Sequence, residues 1–166
     1  FAFQIDSKTF GIYDTFEVEE GRQAHLTGEV AKALLANAGD LLEDFDPSTD
    51  IQPTDVLASN HKSGLQNNGL LVIMKSKEAK TADVENFLNV GKQLVSDEPK
   101  TLSWYAIKID ATTYAIFDTF ADDSGRDAHL TGKVAAALME NAPVLLEGFQ
   151  ATAIQKIDII NTVLFN

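Results

Sequence analysis

Apolar and polar residues alternate along this chain in short runs, and stretches with helical spacing lie between the runs. Residues 1–6 are apolar at Phe1, Phe3 and Ile5, the period-two pattern of a strand. Asp6-Ser7-Lys8 reads as a tight hairpin turn. Alternation then resumes from Thr9 to Phe16, with Phe10, Ile12, Asp14 and Phe16 on one face and Gly11, Tyr13 and Thr15 on the other. After the acidic run from Glu17 to Glu20, the spacing of Leu26, Val30, Ala33, Leu34 and Asn37 predicts a helix over about 21–37 with one buried stripe. Its acidic start suits the positive end of the helix dipole, and Gly39 is placed to end it. Residues 51–58 read as a further strand, with Pro53 pointing to an edge or a bulge.

Residues 60–68, NHKSGLQNN, are rich in turn formers and read as a linker. Gly69 to Met74 is a short apolar run, the mark of a buried strand. Thr81 caps a predicted helix with Val84, Phe87, Leu88 and Leu94 on one face, and Pro99-Lys100 ends it. From Thr101 to Ile109 the chain alternates again, Leu102, Trp104, Ala106 and Lys108 against Ser103, Tyr105, Ile107 and Ile109. Asp110-Ala111-Thr112 is a second hairpin turn, and a strand rich in isoleucine and valine is predicted at about 151–165.

Much of this pattern occurs twice. Residues 1–46 and 105–150, laid together at an offset of 104, agree at 25 of 46 positions. Residues 51–58 align with 154–161 once a single residue is dropped, and in the second copy Pro143 stands as the helix stop. The order strand, helix, strand, strand, helix, strand over 69–166 is the ferredoxin-like split βαβ unit of α+β proteins, with both helices on one side of the sheet. The other side is apolar and has to be covered, and the matching face of the other repeat is the natural cover. Two tandem copies are therefore expected to pair as a barrel, a pseudo-dimer within one chain. The expected domains are 1–59, a first repeat lacking its first strand and helix; 60–68, a linker; and 69–166, a complete second repeat. The 36 residues from Gly69 to Trp104 have no counterpart in the first copy. Either an upstream strand and helix are absent from this chain, which is the favoured alternative, or a second molecule supplies the pairing as a homodimer.

Composition narrows the partners. The net charge is −12, with 12 acids and 3 bases in residues 1–60, so neither nucleic acid nor an anionic membrane is expected to bind. Zero cysteines rule out disulfides, thiolate metal sites and cysteine nucleophiles, and suit a cytoplasmic protein. No apolar run reaches about 18 residues, so no membrane-spanning helix is expected, and FAFQIDSK lacks the pattern of a signal peptide. His25, His61 and His129 make no HxH or HExxH spacing, so no metal site is expected. Sequences of the GxSxG, GxGxxG and phosphate-loop types do not occur.

The strand Tyr114-Ala-Ile-Phe-Asp118-Thr-Phe120 followed by the helix Arg126-Asp-Ala-His129 resembles the antibiotic biosynthesis monooxygenase group of the dimeric α+β barrel superfamily. Members carry an acidic residue on the third strand, an aromatic two positions on and a histidine about nine residues later, a pattern met by Asp118, Phe120, His129 and again by Asp14, Phe16, His25. The resemblance implies a pocket between sheet and helices for a small aromatic or polyketide-like molecule, oxidised in some members by oxygen without a bound cofactor. Related barrels bind haem or sense small molecules. The strand GLLVIMKSK lacks the asparagine of the haem binders, and His129 stands earlier in its helix than their ligand, so haem ligation is not expected.

On this reading His129 and His25 are candidate general bases, with Arg126 and Arg22, three residues earlier on the same side, holding a substrate anion. Gly28 and Gly132 leave a groove beside them. The competing reading, a His–Asp or His–carbonyl bond that ties helix to sheet, carries more weight. Asp118 and Asp14, set among apolar neighbours, each need a partner, and the histidine or arginine of the same copy is the natural one. Phe120, Phe16, Trp104, Tyr105, Tyr114 and Phe117 are candidate pocket walls, though such spacing also makes a core. Two functions remain. One is a cofactor-independent monooxygenase, which requires a pocket of a few hundred Å³. The other is a non-catalytic binding or interaction protein with a filled interior.

Overall fold

Seven strands and six α-helices form among residues 1–164, the part described in a computed structural model. In chain order they are β1 (Ala2–Gln4), β2 (Phe10–Ile12), α1 (Glu19–Leu26), α2 (Glu29–Leu41), α3 (Pro47–Asp50), β3 (Asp55–His61), β4 (Asn68–Lys75), α4 (Thr81–Ser96), β5 (Thr101–Lys108), β6 (Thr113–Phe120), α5 (Asp123–Leu130), α6 (Lys133–Leu145) and β7 (Ile154–Asn161). The two hairpins share one turn chemistry. Asp6 Oδ1 accepts the N–H groups of Lys8 and Thr9 at 2.9 Å, and Asp110 Oδ1 accepts those of Thr112 and Thr113 at 2.8 Å. A short carboxylate that reaches its own backbone two and three residues on is what closes each turn.

All seven strands join one antiparallel sheet in the order β2-β1-β7-β4-β6-β5-β3. Its centre, β7-β4-β6-β5 with α4, α5 and α6, is the ferredoxin-like unit, and the fold is α+β. The outer strands come from the first copy and are exchanged reciprocally, since β1 pairs with β7 while β3 pairs with β5. The two registers coincide once the repeat offset is applied. Ala2↔Asn161, Phe3↔Ile159 and Gln4↔Asp158 on one side correspond to Ala106↔Ala58, Ile107↔Val56 and Lys108↔Asp55 on the other, with an irregularity at the same step. The sheet curls, because rings from one end of the strand order meet rings near the other. Tyr13 lies 5.1 Å from Tyr105, and Phe1 and Phe3 lie 5.1 and 5.4 Å from Phe117.

Alternation along the strands separates two cores. On the helix side Val72, Met74, Trp104, Ala106, Tyr114 and Ile116 pack with Val84, Leu88 and Val95 of α4 and Val134, Leu138 and Leu145 of α6. On the concave side Phe3, Tyr105, Ile107, Phe117, Ile157 and Ile159 form the second cluster.

The structure departs from the sequence expectations at several boundaries. The helix predicted over 21–37 is two helices, α1 and α2. Thr27 Oγ1 folds back onto Gln23 O at 2.9 Å, and Gly28 takes an extended conformation that starts a new helix. Thr131 and Gly132 repeat the break between α5 and α6. Neither Gly39 nor Pro143 ends its helix, as each lies inside the last turn. The chain stays helical for two residues past the proline, to Leu145, as α2 runs to the equivalent Leu41. Thr81 is the first residue of α4 rather than its cap, since Lys80 occupies the capping position. Strand pairing extends into both ends of the predicted linker, at Asn60-His61 and at Asn68. The last strand begins only at Ile154, after a 3-10 turn at Ala151–Ala153, and the predicted end at residue 165 lies outside the described residues.

The chain divides into two units whose limits are not those of the repeats. One comprises Phe1–Tyr13 with the residues from Thr54 on, and the other is Asp14–Pro53, holding α1, α2 and α3. Strand exchange is the reason, because β1, β2 and β3 are bound into the sheet of the second copy.

Candidate functional site

In the second copy, α5 is started by Asp122, whose carboxylate accepts the Gly125 N–H at 3.0 Å. That places Arg126 and His129 almost one turn apart on the buried face of α5, while alternation along β6 turns Tyr114, Ile116, Asp118 and Phe120 toward the helices. His129 is bonded through both nitrogens. Nε2 lies 3.3 Å from Asp118 Oδ2, and Nδ1 lies 2.6 Å from Glu98 Oε2 and 3.3 Å from Thr101 Oγ1. The Phe120 ring lies 5.4 Å from that of His129, tilted by 49°, and Thr101 donates to Glu98 at 2.8 Å.

The electrostatics follow from burial and pairing. Burial works against a charged imidazole, but Asp118 and Glu98 outweigh it and push His129 up to about 10. Burial would also raise Glu98, yet its bonds to His129 and Thr101 hold it below the usual carboxylate range. Asp118 is lifted by burial, and His129 offsets this only in part. An imidazolium at neutral pH has no lone pair with which to accept a proton. It is instead a cation clasped between two acids, joining α5, β6 and the turn from α4 to β5.

Arg126 is committed to backbone. Its Nη1 donates to Ile157 O at 3.2 Å and Gly69 O at 3.4 Å, and its Nη2 pairs with Asp123. The groove expected beside Gly132 is filled by Glu98, whose Oε1 would stand 2.7 Å from a Cβ at that position. The cavity bordered by Asp118 and His129 measures about 20 Å³ between Leu70, Val72, Ile116, Val134 and Leu138, room for about one water.

The expected aromatic walls do not share a face. Trp104 and Tyr114 lie on the helix side, where the Tyr114 hydroxyl donates to Glu85 at 3.1 Å. Tyr105 and Phe117 lie on the concave side, because neighbouring strand residues point opposite ways. Sequence reasoning did not find Glu98 or Thr101, since the proline after Glu98 marked that stretch only as a helix end. It also took Gln66 for linker. Gln66 is buried, and its carbonyl oxygen accepts from Ser103 Oγ at 2.9 Å and from Thr119 Oγ1. His61, 3.3 Å from Ser103 Oγ, has its pKa lowered by burial.

The first copy repeats the pair without its surroundings. His25 Nε2 lies 3.1 Å from Asp14 Oδ2, its ring lies 5.2 Å from Phe16, and Arg22 pairs with Glu19. Side-chain exposure is 34% for His25 and 35% for Asp14, against 6% for His129 and 1% for Asp118.

No protein-family profile matches the sequence, and no curated protein does. Among solved structures, the NE2512 protein of Nitrosomonas europaea, of unknown function, is 35% identical with a TM-score of 0.58, and the match covers 63% of this chain and 99% of that one. The chain belongs to the NE2512 family. That membership assigns no reaction. Two more distant structures, each called "putative monooxygenase", come from Lactobacillus acidophilus and Fusobacterium nucleatum. Both are 11% identical, with TM-scores of 0.65 and 0.64 over 86% and 84% of this chain. The chain spans 66% and 63% of their lengths, and the likeness extends the fold of the NE2512 family to them without extending an activity.

Proposed function

We propose that this chain is a non-catalytic interaction protein built on the barrel fold of the monooxygenase-like proteins. The filled interior of the second copy carries the reading. A cavity of about 20 Å³ beside Asp118 and His129 admits no aromatic substrate, for which several hundred Å³ are needed. The nearest base is already protonated, and the nearest arginine is spent on carbonyl groups. The test is an NMR titration of methyl-labelled protein with 1-naphthol as a phenolic probe, together with oxygen consumption. The expected result is no saturable shift at Leu70, Ile116 or Val134 and no oxygen uptake. A saturable shift there, accompanied by uptake, overturns the reading.

A second reading keeps the cofactor-independent monooxygenase and places its chemistry in the first copy. The half-exposed His25–Asp14 pair supports it, with His25 taking the proton, Asp14 orienting the ring, and Arg22 and Phe16 facing the substrate. Oxygen uptake with 1-naphthol that disappears in His25→Gln but survives in His129→Gln supports this reading, and loss in neither variant removes it.

A further inference from the structure

The stretch 60–68, whose turn formers mark a linker, holds a buried glutamine that the proposed function does not use. Gln66 is 5% exposed. Asn67 beside it is tied to two strands, its N–H donating to Phe120 O at 3.0 Å and its carbonyl accepting the Ile159 N–H at 2.8 Å. The side-chain oxygen of Gln66 is held by the sheet, where it accepts from Ser103 Oγ at 2.9 Å and from Thr119 Oγ1. Thr119 Oγ1 in turn accepts the Ser103 N–H at 3.1 Å, so its own proton is the one given to Gln66. This chain of bonds fixes which end of the amide faces the strands. The NH2 end points away from those hydroxyls, is buried, and has no hydrogen-bond partner among the described residues.

Gln66 also forms part of a cleft of about 290 Å³ between the entry to β4 and the exit of β7, wholly within one unit of the chain. Its other walls include Leu65, Ile160, Thr162 and Leu164. Thr162 Oγ1 is a second buried polar atom there without a partner among the described residues. The neighbouring amides are engaged, since Asn67 Nδ2 donates to Ala121 O at 3.0 Å and Asn161 Oδ1 accepts the Thr162 N–H at 2.8 Å. Leu65, Ile160 and Leu164 are 74%, 59% and 44% exposed, so apolar surface adjoins the two open polar groups. No acid or base lines the cleft among the described residues. A buried N–H without an acceptor is costly, and a fold keeps one where something supplies the acceptor.

From the cleft and its two unpaired groups we infer that it binds a small uncharged carbonyl compound, an amide, ester or lactone with a compact apolar body. The ligand oxygen accepts from Gln66 Nε2, Thr162 Oγ1 supplies the second polar contact, and Leu65, Ile160 and Leu164 cover the body. At the volume of one water per atom, about 30 Å³, the cleft suits a molecule of about ten non-hydrogen atoms. A carboxylate is disfavoured, because no cation lines the cleft and the chain carries a net charge of −12. An ammonium is disfavoured as well, because Gln66 offers it N–H groups and not oxygen. The inference goes beyond the proposed function, which rests on the filled space at His129, and the two are read at different residues.

The test is to titrate the ¹⁵N-labelled chain with 2-phenylacetamide, and in parallel with phenylacetate, its charged twin of the same shape. A probe this small binds weakly, so both are carried to the order of 10 mM. Expected are saturable shifts at residues 64–67 and 160–164 and in the Gln66 side-chain NH2, with phenylacetate at least tenfold weaker. Gln66→Leu should weaken the amide at least tenfold. That variant also unpairs Ser103 and Thr119, so Thr162→Val, which lies outside their network, provides the second check and should weaken it at least threefold. No saturable shift at these residues, the result for a cleft that takes only water, overturns the inference. Equal binding of phenylacetate, or an affinity that Thr162→Val leaves unchanged, overturns it as well.

Discussion

Glu98 Oε2 lies 2.6 Å from Nδ1 of His129, and it makes a buried three-part ion cluster out of a motif that the first copy holds only as a pair. Asp118 and His129 are locked by it. Asp14 and His25, the same residues 104 positions earlier, are not.

The two aspartates should therefore differ sharply in worth. Asp118→Ala leaves a buried cation short of one counter-charge and is expected to cost about 3 kcal/mol. Asp14→Ala breaks a pair that is a third exposed and should cost less than about 1 kcal/mol. Urea denaturation of both variants checks this, and equal losses would mean that the Glu98 cluster is not what separates the copies.

The cluster also gives an alkaline limit to stability. The folded chain holds the His129 proton to about pH 10, and the ordinary value is 6.5. Its contribution is therefore complete below about pH 6.5 and fades as the pH rises through about 10. Between pH 7 and 10 the wild-type denaturation midpoint should fall faster than that of His129→Gln. Parallel curves would show that the imidazolium contributes nothing.

Tyr13 occupies the position that Phe117 holds in the second copy, and its buried hydroxyl has no hydrogen-bond partner. Burial raises its pKa, with Tyr105 adding to the effect, so the phenol stays neutral. An unpaired buried hydroxyl costs about 1–3 kcal/mol, so Tyr13→Phe should stabilise the protein by about 1 kcal/mol. A lower thermal midpoint for this variant would show that the hydroxyl does have a partner in solution.

The α+β class and the chain order of strands and helices over 69–166 were legible because period-two alternation is a strong local signal; that strands of both copies join one seven-stranded sheet was not. That Asp118 requires a partner could be read from one copy, but the sequence left the histidine and the arginine open and favoured the arginine, whereas His129 is the residue that pairs and Arg126 turns to Asp123 and to backbone carbonyls. What escaped was set by tertiary contact. Glu98 reaches His129 across 31 positions, and nothing in the pattern around Pro99 marks it. Pro143 does not set the helix end, since α6 runs to Leu145 and α2, with Gly39 in the place of the proline, ends at the equivalent Leu41. The stripe of Leu26, Val30 and Leu34 is as regular as that of Leu130, Val134 and Leu138, yet periodicity reports only that a face is apolar and not whether anything covers it.

That contrast is the account's central claim, and amide hydrogen exchange of the unmodified chain tests it most directly. Residues 133–145 and 29–41 share most of their sequence, so their intrinsic helicity is alike. The account requires the amides of α6 to exchange only with global unfolding and those of α2 to exchange at least a hundredfold faster by local opening. Equal protection in the two helices would contradict it, because α2 would then be covered as α6 is.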